Sequence, residues 1–113
     1  MKGEPFCLYI LELQENKYYV GMSSRVGWRI IEHQRGISSS PFVKQYSPII
    51  DWKIINLNLY NMHAVLYLET AMTIQLIKKH GVENVYGGWI TGDLEKRKKI
   101  YKKLSRSNRF SII

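Results

Sequence analysis

Five side chains in this sequence form a set that could bind an anion and move protons: Tyr9, Tyr19, Arg29, His33 and Glu69. A phenol can accept a proton if it passes its own on, a guanidinium matches phosphate oxygens with a planar fork, and an imidazole moves protons near neutral pH. Taken singly, several have a duller explanation. A strand tyrosine generally packs its ring and leaves its hydroxyl at the surface, and an arginine and a histidine four apart on a helix commonly form a solvated face. Glu69 is more telling: among Val65, Leu68 and Met72, a carboxylate requires a partner, a metal ion or an exposed edge.

The elements that must position these groups follow from hydrophobic spacing. Residues 6–13 are apolar on both alternating sets, as in a strand covered on both faces, and residues 17–21 resume a β-rich run after the polar turn Gln14, Glu15 and Asn16. The pair reads as an antiparallel hairpin. Ser23 or Ser24 is a candidate N-cap for a helix through Val26, Ile30 and Ile31 to Arg35, ended by Gly36, which places Arg29 and His33 on one face. A Ser-rich segment, residues 37–40, leads into one or two helical turns over 42–46, ended by Pro48, and residues 51–57 read as a third strand. Residues 62–80 carry helical spacing, with Gly81 as the cap. After a loop with Gly87 and Gly88, residues 93–104 read as a Lys-rich helix with Leu94, Tyr101 and Leu104 on one face. The expected fold is α+β, a three-stranded antiparallel sheet flanked by helices, with a basic C-terminal helix.

With 113 residues there is room for one core, so residues 5–92 are expected to be the functional domain and residues 93–113 a basic helix and tail packed on it or extending it. The net charge is +8, divided unevenly: residues 1–77 hold seven basic and six acidic side chains, residues 78–113 ten and three. A +7 segment points to an anionic partner, with nucleic acid foremost. Lys96, Arg97, Lys99, Lys103 and Arg106, with Arg109 beyond them, read as a solvated helix face or, on a core that acts on DNA, as the expected DNA-backbone contacts. No apolar run approaches a membrane span, Cys7 has no cysteine partner, and no signal peptide is evident, so a soluble cytoplasmic setting is expected. One cysteine and three scattered histidines offer no zinc spacing, and Gly87-Gly88 does not open a phosphate-binding helix. His63 and His80 read as surface or cap residues at the ends of their helix.

Together the spaced residues resemble the GIY-YIG nuclease superfamily. Cys7-Leu8-Tyr9 stands for the first signature and Tyr19-Val20-Gly21 for the second; Arg29, His33 and Glu69 follow in register, and the stretch from Lys79 to Gly88 looks like the domain's end in relatives from large DNA viruses, phages and mobile elements. The likeness covers residues 6–90, with departures: Cys7 stands for glycine, Val20 for isoleucine, and Tyr86 where relatives often carry arginine.

The resemblance implies phosphodiester hydrolysis by a DNA endonuclease of a mobile element, a phage, a virus or a defence system. In that reading Glu69 binds Mg²⁺ or Mn²⁺, Arg29 holds the scissile phosphate, Tyr9 is the base, Tyr19 orients the water or phosphate, His33 helps the proton leave, and Asn84 supports a backbone turn or the Glu69 region. Tyr18, facing the other way, is structural. Without a separate recognition domain, target choice would come from the core, the tail, a homodimer or a partner protein. Two other readings stand beside it: a catalytically silent nucleic-acid-binding module of the same fold, and a small basic structural or RNA-binding protein.

Overall fold

The computed structural model describes residues 4–107 and Phe110; Arg109 lies outside them. Eight main elements follow one another: strands β1 (Phe6–Leu13) and β2 (Lys17–Ser23), helices α1 (Val26–Arg35) and α2 (Pro41–Gln45), strand β3 (Asp51–Leu59), helix α3 (Met62–His80), strand β4 (Val85–Gly87) and helix α4 (Leu94–Ser105). Short 3-10 turns at Gln14–Asn16 and Val82–Asn84 join β1 to β2 and α3 to β4.

The sheet has four strands in the order β3-β1-β2-β4, and β4 runs parallel to β2. This corrects the three-stranded antiparallel expectation while keeping the α+β class. The fourth strand is only three residues long, and its partner lies far back in sequence, so no hairpin signal announces it. Two smaller corrections concern boundaries. Neither Ser23 nor Ser24 caps α1: the N-cap position is Arg25, with no side-chain cap, and Ser23 Oγ instead accepts from the Arg25 N–H at 2.9 Å. The third strand runs two residues further than residues 51–57.

The two central strands divide the core. Register pairs Tyr9 with Gly21 and Leu11 with Tyr19, so both candidate tyrosines share one sheet face as diagonal neighbours. On that face Tyr9, Leu11 and Leu13 pack with Ile30 of α1 and with Phe42 and Val43 of α2. A second cluster joins Val85 to Ala71, Ile74 and Ile77 of α3, with Tyr18 against it, as expected for a strand residue facing away from Tyr19. His80 stacks on Tyr18 at 4.2 Å, a packing role at the helix end. Helix α4 touches both clusters: Ile100, Tyr101 and Leu104 pack with the second, while Arg97 reaches the rings of Phe42 and Tyr86. Among the described residues no helix is long and apolar enough to cross a membrane.

Two glycine positions shape the site. A Cβ on Gly21 would collide with the Tyr9 ring, so Gly21 provides the space the phenol crosses. Gly87 and Gly88 let the β4 backbone lie directly against Thr73 and Thr70 of α3, where Thr70 Oγ1 accepts from the Trp89 N–H at 3.0 Å. These contacts lock the stretch of α3 that carries Glu69. Gly21→Ala is expected to destabilise the fold by about 1–3 kcal/mol through overpacking and to displace Tyr9. Urea denaturation checks the first effect, and loss of the Tyr9 hydroxyl NMR signal's histidine coupling checks the second.

Candidate active site

Two of the expected residues, Tyr9 and His33, are joined with Ser39 by geometry that can be stated atom by atom. The Tyr9 hydroxyl lies 2.9 Å from His33 Nε2, and His33 Nδ1 lies 2.7 Å from Ser39 Oγ. Tyr9 and His33 are 1% and 3% exposed, so this chain of hydrogen bonds is shielded from bulk water. Tyr19 completes an aromatic group, its ring 6.2 Å from Tyr9 and 5.3 Å from His33. The hairpin supplies both tyrosines and α1 supplies the histidine one turn after Arg29.

Arg29 is braced from its own side. Its Nη1 donates to the Ser38 carbonyl at 2.9 Å and approaches Glu32 at 3.5 Å, leaving the side chain 26% exposed. It stays cationic: burial pulls its pKa down, and the Tyr9 and Tyr19 phenols more than offset that. An arginine held by a carbonyl and a loose carboxylate, with the Tyr9 hydroxyl also in reach, keeps some of its five N–H donors for a phosphate.

Glu69 is the unusual member. It is 8% exposed, and among the described residues its carboxylate has no hydrogen-bond or ion-pair partner. Burial pushes its pKa up to about 7. Its charge is also close enough to raise the pKa of both tyrosines. A largely buried carboxylate with no protein partner, its oxygens left to solvent, either holds a proton or takes a cation.

The electrostatics sort the proton carriers. Burial foremost, then Tyr19, raises the Tyr9 phenol well above its ordinary value, with Arg29 pulling the other way. Tyr19 is raised by burial and then by Glu69. His33 is held down at about 4 by burial and by the Arg29 cation, so it is neutral at pH 7. That departs from the sequence expectation of an imidazole that accepts a proton near neutral pH, because burial and the Arg29 cation both disfavour its charged form. A neutral imidazole offers one acceptor and one donor nitrogen. With Ser39 as the acceptor at Nδ1, Nε2 is free to take the Tyr9 proton.

Ser39 was not singled out in the sequence, although its Ser-rich segment was. Asn84 does not touch Glu69: its Nδ2 donates to the His80 carbonyl at 2.7 Å and its Oδ1 accepts from Lys17 Nζ at 2.7 Å, so it secures the turn from α3 to β4. Of the expected DNA contacts, Lys96, Lys99, Lys103 and Arg106 are exposed along one stripe of α4. Arg97 departs from the others in not lying on the exposed stripe. It is 6% exposed and faces inward over Phe42 and Tyr86, because it shares the helix stripe of Leu94, Tyr101 and Leu104.

The donor set can be tested against a divalent ion. Among the described residues no group of three His, Cys, Asp or Glu converges, so an ion here would be held by the Glu69 carboxylate, water and substrate oxygens. That composition fits Mg²⁺ or Mn²⁺, which keep several waters and use one or two carboxylates. Compared with known proteins, the chain matches no family model, no curated protein and no solved structure.

Proposed function

We propose that this chain is a divalent-metal-dependent nuclease that hydrolyses phosphodiester bonds in DNA, with a GIY-YIG-like active site. The observation that carries this reading is a mostly buried Glu69 with no protein partner among the described residues, near enough for its charge to act on Tyr9 and Tyr19, beside a Tyr9–His33–Ser39 hydrogen-bond chain and the partly exposed Arg29.

The chain's own groups divide the work. Arg29 binds non-bridging oxygens of the scissile phosphate and neutralises charge as it grows in the transition state. Tyr9 Oη takes a proton from the attacking water while its own proton passes to His33 Nε2, and Nδ1–H of the resulting imidazolium stays on Ser39 Oγ. The imidazolium is disfavoured beside Arg29 in the free protein; the phosphate's negative charge offsets that repulsion, so the relay works best with substrate bound. Tyr19 orients the water or phosphate. Glu69 holds the ion, which when bound supplies charge stabilisation for the leaving alkoxide. The exposed stripe of Lys96, Lys99, Lys103 and Arg106 fits the DNA backbone.

Nicking of supercoiled plasmid tests this. The wild type is expected to nick only with Mg²⁺ or Mn²⁺, and Glu69→Ala and Arg29→Ala are expected to lose the activity. Because Glu69 must be ionised to hold the ion, the rate should rise with pH through about 7, with the midpoint moving lower as metal concentration increases. DNA binding with no cleavage of plasmid, branched or single-stranded DNA under any metal would favour the silent binding module instead.

A further inference from the structure

We infer that the cavity between α2, β4 and the start of α4 is a second phosphate-binding pocket, in which Arg97 and Lys17 hold a phosphoryl group apart from the Arg29 site. The cavity has a volume of about 510 Å³, and Lys17, Phe42, Tyr46, Tyr86 and Arg97 are on its wall.

Arg97 is a buried cation whose hydrogen bonds among the described residues go to neutral groups, with the Asp93 carboxylate near enough to act on it but not paired with it. Its Nη1 donates to the Gly92 carbonyl at 2.9 Å and its Nη2 lies 3.5 Å from the Glu83 carbonyl. Its guanidinium stands 5.4 Å from the centre of the Phe42 ring and 5.6 Å from that of Tyr86. Its Nε is buried without a hydrogen-bond partner, and among the described residues no carboxylate pairs with it. Carbonyls, ring faces and an unpaired Asp93 place the cation without neutralising it in contact, and a buried charge so incompletely compensated is unfavourable.

Lys17 repeats the pattern on the same cavity. Its Nζ bonds to the neutral Asn84 Oδ1 and stands 5.2 Å over the Tyr46 ring. Two carboxylates also line the wall, yet neither forms an ion pair with these cations: Asp93 caps α4 by accepting from the Lys96 N–H at 2.8 Å, and the Glu83 side chain lies over Gly81. The aromatic rings stack on one another, Phe42 on Tyr86 at 5.0 Å and Tyr86 on Tyr19 at 5.8 Å. With those faces engaged, the pocket recognises a phosphoryl group rather than a base. Through Tyr86 it shares a wall with the Tyr9 and Tyr19 cluster. That the phosphate belongs to the strand being cut rests on the nuclease reading; the pocket itself does not.

The test follows the Arg97 Nε–H signal by NMR in metal-free protein titrated with inorganic phosphate or with the 5′-phosphorylated thymidine dinucleotide. The wild-type signal is expected to shift saturably with both probes. In Lys17→Met affinity should fall about tenfold, the loss of one charge-assisted contact. In Arg97→Met, followed through neighbouring amides, the response should vanish while the fold is retained, since an unpaired buried charge has been removed. No shift in the folded wild type at millimolar probe, or an unchanged response in a folded Arg97→Met, overturns the pocket. A response to phosphate but not to the dinucleotide overturns its assignment to a polynucleotide strand. If Arg97 responds while no DNA is cleaved under any metal, the nuclease reading fails and the pocket stands.

Discussion

Glu69→Gln is expected to make the metal-free protein more stable at pH 8 while abolishing metal-dependent cleavage. Burial raises the Glu69 pKa from 4.5 to about 7, so the folded state favours the protonated form, a difference worth about 3 kcal/mol once the unfolded carboxyl ionises. The favourable contribution is complete below the unfolded value and is lost as pH rises through about 7. Glutamine cannot ionise, so the loss disappears; allowing for a buried amide that lacks partners, a gain of about 1–2 kcal/mol at pH 8 remains. Urea denaturation with and without Mg²⁺ measures it. Mg²⁺ should stabilise the wild type and leave the variant unmoved, because only the wild type offers the ion a carboxylate. A group that is destabilising when empty and indispensable when loaded is expected of a site, and not of a packing residue.

The second large effect concerns the proton relay. Tyr9→Phe keeps the ring that fills the space over Gly21 and removes only the hydroxyl, so the fold should lose about 1 kcal/mol for the bond to His33 while single-turnover cleavage falls about 10²–10⁴-fold. DNA affinity should be unchanged, which separates a lost base from a lost contact. His33 carries a companion signature in stability. Its pKa is lowered from 6.5 to about 4, so its contribution is complete above the unfolded value and lost as pH falls through about 4, the opposite sign to Glu69. Near pH 5.5, roughly midway, the unfolded chain carries a proton on His33 and the folded chain carries one on Glu69, and the two slopes cancel. Removing either partner unmasks the other. Glu69→Gln should gain about 3 kcal/mol between pH 4 and 6.5, and His33→Gln should lose about as much between pH 4.5 and 7. Parallel profiles for the two variants would contradict the assignment.

What could be seen in the sequence was mostly local. The strands β1 and β2, the helix bearing Arg29 and His33, and the long helix bearing Glu69 have periodicities set by near neighbours, and their main extents follow from them. The odd carboxylate among Val65, Leu68 and Met72 was visible for the same reason. Strand β4 was not, because a three-residue strand containing a glycine is defined by its parallel partner and not by its own pattern. Arg97 was misplaced because a lysine-rich run reads as a solvated face; its position three after Leu94 and four before Tyr101 was the signal that it points inward. Ser39 could be recognised only once the chain after α1 had folded back onto His33. The resemblance in spacing supplied the reason to expect the tyrosines and Glu69 together, and no matching protein supplies it independently.

The most direct measurement does not depend on finding the right DNA. A ¹³C NMR titration of the Glu69 carboxyl, with and without Mg²⁺, reads the group on which the proposed chemistry turns. The account predicts a midpoint near 7 in the metal-free protein and a marked shift to lower pH as Mg²⁺ is added. A midpoint at the ordinary glutamate value that ignores Mg²⁺ would contradict it, because Glu69 would then be a solvated surface acid and the cluster around Tyr9 would have no place for the ion.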